Sequence, residues 1–252
     1  MRRPVQPIAF NVPPTSRGNL VARAQPRIYM LNSLTRMFAA APIAALIACS
    51  TASAANPNVA TPEPAADAVA LKAGTQTAVF AGGCFWGVDA VFKHVKGVTR
   101  VVSGYAGGVA STARYEEVGS GSTGHAEAVE VTYDPAVVSY GTLLKVFFTV
   151  AHDPTELNRQ GPDTGTQYRS TIFFSNDTQR IAAAAYIADL TKAGVYRRPI
   201  VTTLESLKGF FAAEDYHQNY LALHPNQPYI VINDMPKLAV LKQKLPELFV
   251  GS

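Results

Sequence analysis

Cysteine is nearly absent from this chain. The 252 residues hold two, Cys49 and Cys84, and none follows Cys84. That scarcity excludes a disulfide-stapled fold. No Cys/His set has metal-ligand spacing. No phosphate loop or dinucleotide fingerprint is present, and no internal repeat. The apolar run Met37–Ala48 is too short for a good membrane span. Acidic residues are missing before Cys49, where six of the 22 Lys and Arg residues lie. Without that stretch, 16 basic residues face 18 acidic ones, a net charge of −2 against +4 for the whole chain. The basic balance therefore belongs to the N-terminal stretch. No basic patch stands out, which argues against nucleic-acid binding.

The chain divides into three parts. Residues 1–54 read as a leader and export signal, with residues 1–29 either an over-long start or a removed leader. A second start is available at Met30, and Arg36 precedes the apolar run, the pattern of a secretory signal. Leu46-Ile47-Ala48-Cys49 resembles a bacterial lipobox, which implies a lipid anchor on Cys49. Ala52-Ser53-Ala54 offers a rival cleavage site and a plainly secreted product. Either reading makes this an exported, periplasmic or cell-envelope protein. Residues 55–75, rich in Ala and Pro, read as a flexible tether. Residues 76–252 are expected to form the folded domain, long enough for one hydrophobic core.

Within the domain the pattern predicts strands at Thr77–Ala81, Val98–Tyr105, His125–Tyr133, Tyr168–Phe174 and Ile200–Leu204. Helices are predicted from Cys84 to Gly97, at Tyr140–Val150 and at Asp177–Lys192, with short ones at Glu214–Leu223 and Lys237–Leu245. This β-α-β-β-α-β order is that of an α+β, ferredoxin-like split-βαβ two-layer sandwich, here with extra helices and long loops. The loops after Tyr105 and after Ala151 are long enough to be functional, and are expected to converge on Cys84.

Gly82-Gly83-Cys84-Phe85-Trp86-Gly87 holds the only Trp beside one of the two cysteines. A helix N-terminus there would favour thiolate over thiol, and the aromatics would form an apolar pocket. The bland alternative is a buried, inert thiol in a strand-to-helix turn.

Several motifs together resemble the A-type peptide methionine sulfoxide reductases. They are Gly83-Cys84-Phe85-Trp86-Gly87, Gly104-Tyr105-Ala106-Gly107-Gly108, Tyr115, Gly124-His125-Ala126-Glu127, His152-Asp153-Pro154, Gly165-Thr166-Gln167-Tyr168-Arg169-Ser170 and Glu214-Asp215-Tyr216-His217-Gln218. The likeness runs from about Val79 to Tyr220. It implies reduction of the S epimer of methionine sulfoxide, in proteins or as the free amino acid. By that resemblance Cys84 attacks sulfur and becomes a sulfenic acid. Glu127 is the general acid, which demands a raised pKa. Tyr115 and Tyr168 bind the sulfoxide oxygen, Asp163 assists through water, and Phe85 and Trp86 hold the methyl group. The resemblance gives His125, His152 and His217 no catalytic part. It implies no bound cofactor and an external thioredoxin-like thiol as reductant; nothing in the sequence demands more than a monomer.

The chain departs from many relatives in lacking a C-terminal resolving cysteine. An external thiol must therefore reduce Cys84 directly or through a mixed disulfide. Two other classes stay open on sequence: a Cys–His hydrolase using Cys84 with His125 or His217, and a non-catalytic binding module.

Overall fold

The computed structural model describes residues 54–65 and 74–251. The readings made for residues 1–53, Cys49 among them, lie outside the described residues. Among those described, no helix is long and apolar enough to cross a membrane.

The short apolar run after Gln76 forms β1 (Gln76–Gly82). It pairs antiparallel with a strand on each side, and its apolar character on both faces follows from its place between two apolar clusters, Ala78 and Phe80 in one and Val79 and Ala81 in the other. Helix α1 (Phe85–Lys93) follows, then β2 (Val98–Ala106), the single turn α2 (Tyr115–Val118), β3 (Ala126–Tyr133) and α3 (Tyr140–Val146). The second long loop contains a small hairpin of β4 (Arg159–Gln160) and β5 (Asp163–Thr164). After it come β6 (Ser170–Phe174), α4 (Asp177–Lys192), β7 (Thr203–Ser206), β8 (Phe210–Ala212), α5 (Tyr220–Leu223) and α6 (Met235–Lys244). The architecture is mixed α+β, built on a six-stranded sheet in the order β7-β6-β1-β3-β2-β8. All neighbours are antiparallel except β6 and β7.

Side-chain alternation divides the sheet's burial in two. One face carries Ala78, Phe80, Val101, Tyr105, Val129, Val131 and Ile172, packed with Val88, Val91 and Phe92 of α1. Phe80 anchors it, stacked on Phe92, Tyr140 and Phe147 with ring centroids 5.1, 6.2 and 5.0 Å away. The other face carries Val79, Ala81, Ala106, Ala126, Ala128 and Phe173, with Leu207 and Phe210 against them. The half-buried β3 expected from its alternation is therefore buried on both faces over Ala126–Val129. Glu127 shares the parity of Val129, Val131 and Tyr133, so it points into the core face.

Several boundaries differ from expectation. Helix α3 widens into a π-helical turn over Phe147–Ala151. The strand expected at Ile200–Leu204 lies at Thr203–Ser206, where its pairing with β6 sets the register. Glu214–Leu223 is not one helix: Asn219 has φ 55° and separates a 3-10 turn from α5. Strand β8 was not expected; three residues at a sheet edge carry no periodicity.

The tether expectation for residues 55–75 needs correction at its start. The Asn56 N–H donates to the Val195 carbonyl at 2.7 Å, and the Arg197 N–H to that of Ala54 at 3.0 Å. The Tyr186 hydroxyl donates to the Pro62 carbonyl at 3.1 Å, and Lys145 pairs with Glu63. Backbone bonding, invisible to composition, holds this segment on the domain.

Between β1 and α1 the chain turns through Gly82 and Gly83, both under close approach. A Cβ on Gly82 would lie 2.9 Å from His152 Cγ. Gly83 has φ +87°, and a Cβ there would lie 2.5 Å from Gln160 Cβ. Gln160 cannot yield easily, because its amide accepts from the Asp153 N–H at 3.0 Å and donates to the Asp153 carbonyl at 2.6 Å. Gly83→Ala combines left-handed strain with overpacking, and should lower unfolding stability by about 2–4 kcal/mol. Urea denaturation of the two proteins measures it; an unchanged midpoint would refute the close approach.

Candidate active site

Cys84 is the N-cap residue of α1 and only 9% exposed. Phe85, next along, gives its N–H to Glu127 Oε2 at 3.0 Å. That bond ties the start of α1 to the start of β3. Glu127 is 4% exposed. Burial pushes its carboxyl up to about 8; nearby Asp163 and Asp234 add to this, and the Phe85 N–H opposes it.

The expectation of a thiolate at the helix N-terminus is corrected. Burial raises the Cys84 thiol well above its usual range, and the charges of Glu127 and Asp234 raise it further. A hydrogen bond from the Trp86 backbone N–H and the charge of Lys237 lower it, but do not prevail. Desolvation by burial outweighs a helix's partial charge, worth about 0.3–1 kcal/mol at exposed sites. The resting residue is a thiol.

The two long loops do converge on Cys84. They are cross-linked by Thr166 Oγ1 to the Gly121 carbonyl at 2.6 Å, Gln167 Nε2 to that of Gly119 at 3.1 Å, and Arg169 Nη2 to that of Gly124 at 3.1 Å. Arg169 also pairs with Glu205 of β7. This bracing brings Tyr115, at the start of α2, and Tyr168, closing a 3-10 turn, to the site half-buried. Burial raises both phenols, and the nearby Glu127 and Cys84 raise them further, so both are neutral donors at neutral pH. Asp163, on β5, accepts a short hydrogen bond from the Tyr229 hydroxyl. All seven residues singled out from sequence thus belong to one neighbourhood.

The three histidines are engaged elsewhere. His125 Nε2 lies 3.0 Å from the Val109 carbonyl, and its Nδ1 accepts from the Gly108 N–H at 3.2 Å. His152 lies between the Phe147 carbonyl, 3.0 Å from Nδ1, and Ser170 Oγ, 2.7 Å from Nε2; burial lowers its pKa to about 4. His217 Nδ1 accepts the Trp86 indole N–H at 3.2 Å. None of these bonds is to Cys84, and the Cys–His pairing a hydrolase requires is not formed. Among the described residues no group of three or more His, Cys, Asp or Glu is placed to hold a metal ion.

Comparison with known proteins agrees with this geometry. A family model described as "Peptide methionine sulfoxide reductase" matches residues 76–248. The chain belongs to that family. It is 62% identical over 176 residues to peptide methionine sulfoxide reductase MsrA 2 of Mesorhizobium japonicum, covering 70% of this chain and 90% of that one. It is 50% identical over 171 residues to MsrA 2 of Synechocystis, covering 68% and 80%. Among solved structures, methionine sulfoxide reductase A of Corynebacterium diphtheriae superposes with a TM-score of 0.54 at 36% identity, over 69% of this chain and 88% of the other. Reduced Mxr1 of Saccharomyces cerevisiae gives 0.56 at 34% identity, over 63% and 90%. Membership makes this chain an oxidoreductase.

The family frame gives the Glu214–Gln218 motif a physical role the sequence did not disclose. Glu214 accepts from the Tyr105 hydroxyl at 2.8 Å and from the Tyr115 N–H at 3.0 Å. Gln218 accepts from the Ser103 N–H at 3.0 Å and donates to the Ser103 carbonyl at 2.9 Å. His217, 3% exposed, lies 5.0 Å from the Phe85 ring and 4.4 Å from Tyr115. Trp86 stacks on Tyr220 at 3.7 Å and meets the edge of Tyr229 at 5.9 Å. The motif is thus a brace behind the aromatic wall. Tyr229, Asp234 and Lys237 were also missed, and the sequence held no signal for them beyond residue type.

Trp86 is the only Trp, so its fluorescence reports this wall alone. His217→Leu strands a part-buried indole N–H, at a cost of about 1–3 kcal/mol. Its Trp emission should shift, and KM for a sulfoxide peptide should rise roughly tenfold, with kcat changed less. An unmoved emission and KM would remove His217 from the brace.

Proposed function

We propose that this chain reduces the S epimer of methionine sulfoxide to methionine, in proteins and as the free amino acid, by thiol chemistry at Cys84. One observation carries the assignment of roles. Glu127 is a buried carboxyl, held on the Phe85 N–H beside Cys84 and raised to about 8. A carboxyl with that value keeps its proton at neutral pH and has one to give.

The chemistry follows from the groups present. A sulfoxide has an electrophilic sulfur and a basic oxygen. Phe85 and Trp86 take the methyl group into the aromatic wall, excluding bulkier groups. Tyr115 and Tyr168 donate to the sulfoxide oxygen as negative charge develops on it. Cys84 sulfur attacks the substrate sulfur while Glu127 protonates the oxygen. The thiol proton passes to the Glu127 carboxylate left by that transfer, and as the S–O bond breaks hydroxide moves from the substrate sulfur to Cys84, cleaving the S–S bond just formed. In sum, Cys–SH and the sulfoxide give Cys–SOH and methionine: the substrate sulfur is reduced by two electrons and Cys84 oxidised by two. Asp163, held by Tyr229, orders water at the oxygen. With no cysteine after Cys84, an external thiol attacks the sulfenic sulfur, releasing water and leaving a mixed disulfide, and a second thiol cleaves that disulfide to free Cys84 as the external pair is oxidised to a disulfide. A thioredoxin-like protein supplies that chemistry, and no bound cofactor is needed.

The finer architecture belongs to the same reading. The run β6-β1-β3-β2, with α1 crossing from β1 to β2, supports a ferredoxin-like split-βαβ core extended by β7 and β8. The lipobox-like run Leu46-Ile47-Ala48-Cys49 supports work in the cell envelope with a lipid anchor on Cys49, by a chain acting as a monomer.

The pH profile carries a signed expectation. Because the Glu127 carboxyl lies above its ordinary value, its proton is present at neutral pH and lost as pH rises through about 8. Single-turnover formation of methionine from an S-sulfoxide peptide should therefore fall above about pH 8. Glu127→Gln should lose about 10²–10⁴ in rate together with that limb. With dithiothreitol as reductant, Cys84→Ser should be inactive and the R epimer untouched. A folded wild-type protein without S-epimer turnover would sink this function; a limb surviving Glu127→Gln would remove Glu127 as the acid.

A further inference from the structure

The C-terminal segment places a second buried carboxylate beside the thiol. Asp234 is 1% exposed and pairs with Lys237 at 3.2 Å through Oδ1. Its other oxygen, Oδ2, is buried and accepts no hydrogen bond. Both groups pack against Gly87 on the first turn of α1, three residues beyond Cys84. A Cβ on Gly87 would lie 2.1 Å from Asp234 Oδ1 and 2.6 Å from Lys237 Nζ. Glycine at position 87 is what lets the pair approach. The same segment carries Tyr229, which holds Asp163 and touches Trp86.

A buried carboxylate oxygen with no donor is costly, by about 1–3 kcal/mol or more. Apolar residues would join this segment to α1 without that cost. The arrangement makes sense if the charge has work to do at the helix start.

We propose that Asp234 and Lys237 are a positioning pair that tunes the ionisation of Cys84: Asp234 adds to the opposition that burial already sets against the thiolate, and Lys237 limits that opposition so the thiolate stays reachable. The reading rests on Cys84 as the nucleophile. Its value to this chain is chemical. A neutral thiol resists adventitious oxidation, and no later cysteine exists to rescue Cys84. The other titratable groups facing the site are Glu127 on β3, Asp163 on β5, and Tyr115, Tyr168 and Tyr229. Lys237 is a cation whose charge favours the thiolate.

The test is the pH dependence of iodoacetamide alkylation of Cys84 in the full chain, followed by peptide mass spectrometry, with Cys84→Ser as blank. Asp234→Asn should lower the midpoint by about one pH unit, making alkylation roughly tenfold faster at a fixed pH below it. Lys237→Met should raise the midpoint by a similar amount, since Asp234 is ionised at the alkaline pH where the thiol titrates. The double variant should return to within about half a unit of wild type. A purely structural pair would open the site either way, so both single variants would shift in the same direction. That result, or no shift in either, overturns the proposal. Should Asp234→Asn fail to fold, Lys237→Met decides alone: a downward shift or none refutes it. Alkylation needs no sulfoxide turnover, so failure here is distinct from failure of the reductase assignment.

Discussion

A carboxylic acid on the core-facing side of a β-strand is the constraint around which this site is built. Glu127 occupies a position whose equivalents along β3 are Val129, Val131 and Tyr133. Ionised there without a partner, it would be expelled or would disrupt the sheet. Kept protonated, it costs little and has a proton to give. The Phe85 N–H binds it, using a backbone donor that every helix start leaves free. One hydrogen bond thus solves the burial of an acid and fixes the distance between acid and nucleophile.

The rest of the architecture serves that contact. The Gly82-Gly83 turn brings α1 off the end of β1 under the loop of His152 and Gln160. Arg169 and Thr166 bind the two long loops to each other, so the tyrosines arrive on braced rather than mobile segments. Behind the aromatic wall, Glu214, His217 and Gln218 each make a side-chain bond to a different part of the pocket. The motif is short because its job is to tie together strands and helices already in place.

Electrostatically the pocket is set against early ionisation. Desolvation holds both thiol and acid neutral, and the partial charge of the helix start does not reverse it. The reacting pair therefore begins uncharged, and charge develops only where the tyrosine hydroxyls can meet it. For a chain with one cysteine in its folded domain, a quiet resting state is chemically consistent with relying on a thiol from outside.

What the sequence by itself determined is the local chemistry and the order of elements. The Cys-Phe-Trp run, the periodicity of α1 and α4 and the alternation of β3 are properties of neighbouring residues, and each appears close to where they imply it. Short elements without periodicity were not legible: β8 exists because β2 offers an edge, and Ala54 and Asn56 are held by backbone bonds to Arg197 and Val195. The protonation of Cys84 was misread for the same reason. Helix position is a local fact, whereas burial and the charges of Glu127 and Asp234 come from segments 43 and 150 residues away in the chain. Only tertiary structure could decide that balance, because desolvation depends on everything that surrounds an atom and not on what precedes it.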